Sequence, residues 1–212
     1  MRLMSYVKSY GGYTKSELND LQLKDRILVN GMKKNLTYII KENDIITIDG
    51  KIIDVIPNEY YLYNKPIGIV CTNDLNVKGN IITHLNLKNR VFCVGRLDKD
   101  SHGLLILTND GNLSNQLING NNHIEKEYLV TVKDKITLEF INNMSKSVVI
   151  RGKKTKECIV NFINDYQFKI ILTEGMYRQI RKMVKINKNF VVDLFRIRIG
   201  NLNIDDLKDK KI

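Results

Sequence analysis

An aspartate two residues past an arginine, in a glycine-bounded loop that feeds an apolar run, is the arrangement in this chain best suited to chemistry. The segment reads Gly95-Arg96-Leu97-Asp98-Lys99-Asp100-Ser101-His102-Gly103 and continues as Leu104-Leu105-Ile106-Leu107-Thr108. Residues 103–108 read as a fully buried strand, which ties the loop to a core and leaves Asp98 at the strand's mouth. A carboxylate there can serve as nucleophile or base; an ordinary polar loop with a surface Arg96–Asp98 ion pair is the bland alternative. Asp100 adds a rival idea, the paired carboxylates of glycoside hydrolysis, but nothing else in the chain points to a glycosidase. A second candidate is Tyr128 in Glu125-Lys126-Glu127-Tyr128-Leu129-Val130-Thr131-Val132. Alternation sets Tyr128, Val130 and Val132 on one strand face, where a tyrosine is ordinarily a half-buried core residue. A third is the basic stripe Arg178, Arg181, Lys182 and Lys185, at i, i+3, i+4 and i+7 of a predicted helix whose Ile180, Met183 and Val184 face the core. The bland reading of that stripe is a solvated face. Arg151-Gly152-Lys153-Lys154 forms a basic hairpin-like segment suited to phosphate or simply to solvent. His84, His102 and His123 show no ligand spacing, so no metal site is expected.

These residues need elements to hold them. The spacing predicts strand over 62–70, interrupted at Lys65-Pro66, and helix over 112–118. Strand follows over 128–132, helix over 137–144, strands over 158–162 and 168–172, helix over 177–186 and a last strand over 190–199. Ahead of them, residues 1–53 read as a small α+β module. Thr14-Lys15-Ser16-Glu17 fits a capping box before Leu18 and Leu21, and Ile27 and Val29 alternate into the hairpin signal Asn30-Gly31. Ile46 and Ile48 alternate into Asp49-Gly50, and Ile52 restarts the pattern. Residues 54–60, with Pro57 and Asn58, make a linker to a larger region over 61–212.

Composition bounds the partners. The net charge is +11, which favours a polyanion through counterion release. Residues 1–60 hold 9 Lys+Arg against 8 Asp+Glu and residues 61–212 hold 25 against 15, so the larger region is the expected electrostatic contact. No run approaches the ~18 apolar residues of a membrane span, and the opening Met1-Arg2-Leu3-Met4-Ser5-Tyr6 lacks the apolar core of a signal peptide. Cys71, Cys93 and Cys158 fit neither a disulfide framework nor a zinc site, and suit a reducing cytoplasm.

The segment from Gly95 through Thr108-Asn109-Asp110-Gly111 closely resembles, without a gap, the active-site segment of RNA pseudouridine synthases of the small- and large-subunit rRNA branch. Asn64-Lys65-Pro66-Ile67-Gly68, Lys126-Glu127-Tyr128 and Glu174-Gly175-Met176-Tyr177-Arg178-Gln179-Ile180-Arg181 are similar to further motifs of that family, in family order. Residues 119–132, with Thr155-Lys156-Glu157-Cys158, resemble the large-subunit synthase F type. The opening Arg-Leu and Ile27-Leu28-Val29-Asn30-Gly31 resemble the S4 RNA-binding module, although Lys15 and Ser16 stand where that module has paired arginines.

The resemblance implies an α+β fold, with a mixed, largely antiparallel sheet flanked by helices, and isomerisation of uridine to pseudouridine. It implies a catalytic Asp98, an Arg96 that replaces the flipped base in the RNA stack, and a Tyr128 lying against the target base to help remove the C5 proton. Arg181 is expected to pair with Asp98 and keep it ionised. Ile180 is expected beneath the uracil, and Lys126 on phosphate or holding its loop. Lys65-Pro66-Ile67-Gly68 supports the catalytic loop. Arg178, Lys182, Lys185, Arg151, Lys153 and Lys154 are the remaining RNA contacts. No cofactor is implied, because the isomerisation is redox-neutral. The expected partner is 23S rRNA, with tRNA as a further substrate, for a monomeric cytoplasmic enzyme. The alternatives are a non-catalytic RNA-binding chaperone of ribosome assembly, which the intact Asp98, Tyr128 and Arg181 oppose, and a nucleoside or sugar hydrolase, which the basic surface opposes. Relatives carry a further Gly-x-Trp-Arg-Leu segment where this chain stops at Lys211-Ile212, so short C-terminal elements are expected.

Overall fold

The computed structural model describes residues 1–13, 15–119 and 122–207. They divide into two compact units: Met1–Glu59 with Lys88–Arg90 and Asn109–Gly111, and the described remainder from Tyr60 onward.

The first unit holds helices α1 (Leu3–Gly11) and α2 (Lys15–Leu23) and strands β1 (Ile27–Val29), β2 (Met32–Lys33), β3 (Ile46–Ile48) and β4 (Lys51–Ile52). The strands form an antiparallel sheet in the order β2-β1-β3-β4. Asn30 and Gly31 take φ of 52° and 75°, and Asp49 and Gly50 take 52° and 75°; positive φ at both central positions is what a two-residue type I′ turn requires. Leu3 and Val7 of α1, Leu18 and Leu21 of α2, and the inward Ile27, Val29, Ile46 and Ile48 form one core. Thr14, the expected cap of α2, lies outside the described residues, as do the last residues, 208–212.

The second unit contains β5 (Tyr60–Lys65), α3 (Ile81–Leu85), β6 (Phe92–Val94), β7 (His102–Thr108), α4 (Gly111–Ile118), β8 (Lys126–Val132) and α5 (Leu138–Ser145). There follow β9 (Val149–Ile150), β10 (Lys153–Lys154), β11 (Ile159–Asn164), β12 (Gln167–Leu172), α6 (Gln179–Ile186), β13 (Val191–Ile199), β14 (Leu202–Asn203) and a 3-10 turn, Ile204–Leu207. Its main sheet runs β11-β12-β8-β13-β7-β5, with β6 also on β7 and β14 on β13. Every pairing is antiparallel except β13 with β7. This is the mixed, largely antiparallel α+β sheet the sequence predicts.

Strand β7 is an unbroken apolar run because both its faces are covered. Leu105 and Leu107 pack with Ile81, Val91, Leu97 and Cys71 on one side, and Leu104 and Ile106 pack with Val94 and Ile199 on the other. A third core joins β8, β12 and β13 to α5 and α6 through Val130, Phe140, Phe168, Ile170, Ile180, Met183 and Leu194. The strand expected over 62–70 ends at Lys65, and Val70 makes only an isolated parallel bridge to Asn80. Strand β5 begins at Tyr60, inside the stretch read as linker.

Candidate active site

The loop that carries Asp98 is fixed at the point where β7 meets β13. Phe195 and Arg196 pair with His102 and Gly103. Gly103 has φ of 106°, and a Cβ there would stand 2.3 Å from the Arg196 carbonyl oxygen and 2.7 Å from its nitrogen. Only glycine lets the two backbones approach this closely, so Gly103 sets where β7 starts and where the loop before it ends. The Ser101 amide donates to the Asp98 carbonyl at 3.1 Å, closing a turn, and the Gly68 amide donates to the Lys99 carbonyl at 2.8 Å. The Lys65-Pro66-Ile67-Gly68 turn therefore holds the loop directly. Its own shape comes from Lys65, whose fully buried ammonium donates to the carbonyls of Pro66 and Ile69 at 2.8 and 2.9 Å.

Two carboxylates and two arginines meet over this loop. Arg178 approaches Asp98 at 3.5 Å and forks onto Asp100 with bonds of 2.9 and 2.8 Å. Arg181 donates to the Asp100 carbonyl at 2.8 Å and to the buried Ser101 hydroxyl at 3.2 Å, and its Nε lies 3.4 Å from the Asp100 carboxylate. The expected Arg181–Asp98 pair is thus corrected: Arg178 meets Asp98, and Arg181 anchors the loop through Asp100 and Ser101. The reason is where the helix starts. Arg178 is not in the helix but at its N-cap, with φ of 53° and ψ of 39°, so the stripe expected at i, i+3, i+4, i+7 is broken at its first member. That left-handed turn brings Arg178 onto the carboxylates, while Arg181, the third residue of α6, reaches the Asp100 carbonyl and the Ser101 hydroxyl. Burial lowers the pKa of Arg181. The bonds from Arg178 hold Asp100 below the ordinary carboxylate range, against the opposing effect of its partial burial.

A cavity of about 600 Å³ opens beside Asp98, a volume suited to a small-molecule or nucleotide ligand. Arg96, Asp98, Tyr128, Leu172, Ile180 and Leu194 are among its lining residues. Tyr128 is carried by β8 between Ile170 of β12 and Arg196 of β13, and Ile180 is buried in the first turn of α6. Asp98, Tyr128, Ile180 and the exposed Arg96 are therefore brought to one cavity. Lys126 is not among the lining residues; its ammonium donates to the Ile124 carbonyl at 3.1 Å, holding its own loop. Burial, and secondarily Arg196, lower its pKa.

Sequence reasoning missed a buried arginine paired across the sheet with Tyr128, and two cysteines of the cavity wall. Arg196 is buried, donates from Nε to the Leu104 carbonyl at 2.7 Å, and leaves Nη2 without a hydrogen-bond partner. Cys71 and Cys93 line the cavity itself. A hydrogen bond from Cys93 lowers the pKa of the Cys71 thiol, with Lys65 and Arg196 acting the same way and burial opposing, while the Cys93 thiol is pushed up. A third omission is the brace behind the helix start. The Glu174 carboxylate accepts from the Lys156 amide and from the buried Gln179 side chain at 2.9 and 2.7 Å, and Gln179 in turn accepts from the Met176 amide at 3.0 Å. Only the glutamate and glycine of residues 174–175 hinted at this in sequence. Of the expected RNA contacts, Lys153, Lys154 and Lys185 are exposed, and Arg151 and Lys182 both lie against Tyr177. Among the described residues no His, Cys, Asp and Glu cluster is placed to hold a metal, and no helix is long and apolar enough to cross a membrane.

The RNA pseudouridylate synthase family pattern matches residues 59–185, which include the loop, the strand with Tyr128 and most of α6. The chain belongs to this family. Relatives of this synthase include the dual-specificity RNA pseudouridine synthase RluF of Escherichia coli (strain K12), 37% identical over 98% of this chain and 72% of the relative. Ribosomal small subunit pseudouridine synthase A of Pasteurella multocida (strain Pm70) is 31% identical over 97% of this chain and 91% of its own. A crystal structure of a pseudouridylate synthase superposes with a TM-score of 0.69 at 29% identity, over 97% of this chain and 91% of the other. The synthase is an isomerase that converts uridine to pseudouridine.

Proposed function

We propose that this synthase modifies uridine in folded ribosomal RNA, with Asp98 as its catalytic carboxylate, Tyr128 at the target base and Arg96 filling the gap in the RNA stack. The observation that carries this reading is the convergence of Asp98, Tyr128, Ile180 and Arg96 on one cavity of about 600 Å³. A uridine flipped from its helix enters that cavity with uracil against Tyr128 and Ile180 and the ribose at Asp98. The N1–C1′ bond breaks under attack by the Asp98 carboxylate, which forms an ester to C1′, or after Asp98 abstracts a ribose proton. The uracil turns within the cavity and C5 bonds to C1′ as the ester bond breaks or as Asp98 returns the ribose proton; the C5 proton then leaves with the help of the Tyr128 hydroxyl while N1 takes up a proton. No atom is gained or lost, so no cofactor enters. Arg178 holds the Asp98 carboxylate from outside, and Arg181 fixes the loop that presents it.

Ribosomal RNA as substrate is supported by the name of the small-subunit relative, and a second RNA substrate, which we take to be tRNA, by the dual specificity in the name of the other. Residues 1–53 act as an S4-like RNA-binding module, residues 54–60 as its linker and residues 61–212 as the catalytic domain. The support is the small α+β core with its Asn30-Gly31 hairpin. The near-neutral charge of residues 1–60 assigns the main phosphate contacts to the catalytic domain, through Arg151, Lys153, Lys154, Arg178, Lys182 and Lys185. The enzyme works as a monomer in the cytoplasm, where its three free cysteines stay reduced. Purified protein would be incubated with transcripts of 16S rRNA, 23S rRNA and tRNA, and pseudouridine mapped by carbodiimide-dependent reverse-transcription stops. Stops at one or a few uridines of rRNA are expected. Transcripts left unmodified, with tRNA alone modified, would overturn the substrate assignment.

A further inference from the structure

Beside the cavity stands an aromatic ring that the chemistry does not use. Tyr177 is 58% exposed and lines the cavity next to Arg178. Two cations lie against its ring: the Arg151 guanidinium carbon at 5.1 Å and the Lys182 ammonium at 4.9 Å from the centroid. Lys182 also donates to the Tyr177 carbonyl at 2.6 Å. Arg151 comes from the tip of the β9–β10 hairpin, where it takes φ of 51°, so the tyrosine joins that hairpin to the start of α6. Among the described residues neither Arg151 nor Lys182 forms an ion pair with a carboxylate. Partial desolvation lowers the Lys182 pKa and the neighbouring Arg151 and Arg178 lower it further, against the pull of Asp98. Like charges are thus gathered against their own repulsion around one ring, an arrangement that an anion relieves.

We propose that Tyr177 is a positioning residue, holding Arg151 and Lys182 as a two-pronged clamp for an RNA phosphodiester adjoining the flipped uridine. The inference rests on the RNA-modifying reading above and adds to it a named rim contact and the residue that organises it. The ring pre-sets two flexible side chains, so less of their freedom is lost when phosphate binds. Exposed Lys153 and Lys154 extend the positive surface along the same hairpin.

The test uses full-length protein and a uridine-containing rRNA stem-loop, with filter binding across a salt series and steady-state isomerisation on the same RNA. Tyr177→Ala should raise KM about tenfold, with the loss falling on KM rather than kcat, and should flatten the salt slope by about 0.7–0.9 for each phosphate no longer neutralised. Tyr177→Phe keeps the ring and should restore both quantities. In an Arg151→Ala/Lys182→Ala background, adding Tyr177→Ala should cost nothing more. An equal further loss in that background would show that the ring stacks on a base instead, and would overturn the clamp. A parent that binds and isomerises while Tyr177→Ala keeps its salt slope would overturn the clamp alone. A parent with no salt-dependent RNA affinity would overturn clamp and RNA reading together.

Discussion

Replacing Arg181 by methionine separates two roles an active-site arginine can play. Methionine keeps most of the stem's packing and removes the guanidinium bonds to the Asp100 carbonyl at 2.8 Å, the Ser101 hydroxyl at 3.2 Å and the Val191 carbonyl at 3.4 Å. A hydrogen bond from a charged donor contributes about 1.5–3 kcal/mol; the first counts in full, the second in part and the third hardly at all. Relief of the buried guanidinium's desolvation offsets some of the loss, leaving a net cost of about 2–3 kcal/mol. For a chain of this size that lowers Tm by about 5–10 °C. The loosened loop also moves Asp98, and a displacement of ~1 Å is worth about 10²-fold in rate. Arg178→Met strips the cation from Asp98, but its close fork is onto the exposed Asp100 and its contact with the half-buried Asp98 is long, so its Tm should fall by under about 3 °C. Differential scanning fluorimetry and single-turnover tritium release from C5-labelled RNA would be run on both variants. Two results would refute the reasoning: an Arg181→Met protein that melts with the parent, or an Arg178→Met protein that melts lower than Arg181→Met.

Further outcomes follow from the same geometry. Gly103→Ala drives a Cβ into the Arg196 backbone at 2.3 Å and should cost more than about 3 kcal/mol, read as a collapsed melt or loss of soluble protein. If Tyr128 acts as proposed, Tyr128→Phe keeps the ring and removes the hydroxyl, so the single-turnover rate should drop by roughly 10²–10⁴ while RNA affinity holds; an unchanged rate would reduce the tyrosine to a platform. Asp100 has a folded pKa held below its ordinary 3.8, so its contribution to stability is present above that value and is lost as pH falls through the lower, folded one. Asp100→Asn should therefore flatten the acid limb of a Tm–pH curve below about pH 4 and leave its shape above that unchanged.

The sequence made some of this legible and hid the rest for physical reasons. Residues 103–108 announce themselves as a strand because both faces are covered, so every position is apolar or small. The Asn30-Gly31 and Asp49-Gly50 hairpins are readable because few residue pairs tolerate two positive φ angles in a row. Helix α1 is not: only Leu3 and Val7 of its nine residues are fully buried, and its tyrosines and serines blur the periodicity. The pairing at the active site was unreadable in a more interesting way. Two carboxylates two apart and two arginines three apart admit two matchings, and the choice depends on α6 starting at Gln179 rather than Tyr177. That start is set by a left-handed Arg178, a conformation its residue type does not advertise. That Lys65 and Arg196 are buried was not readable, because their burial depends on strands distant in sequence, whereas lysine beside proline reads locally as a turn.

The most direct test of the account is tritium release from C5-labelled rRNA by Asp98→Asn. Amide and carboxylate are alike in size, and among the described residues the ion pair of the Asp98 side chain is a long 3.5 Å contact with Arg178, so fold and RNA binding should persist. The amide is neither nucleophile nor base, and the account predicts release at least about 10³-fold slower than the parent at saturating RNA, with Tm within about 2 °C. Release within about tenfold of the parent, from a variant that binds the same RNA, would contradict the assignment of Asp98 as the catalytic carboxylate.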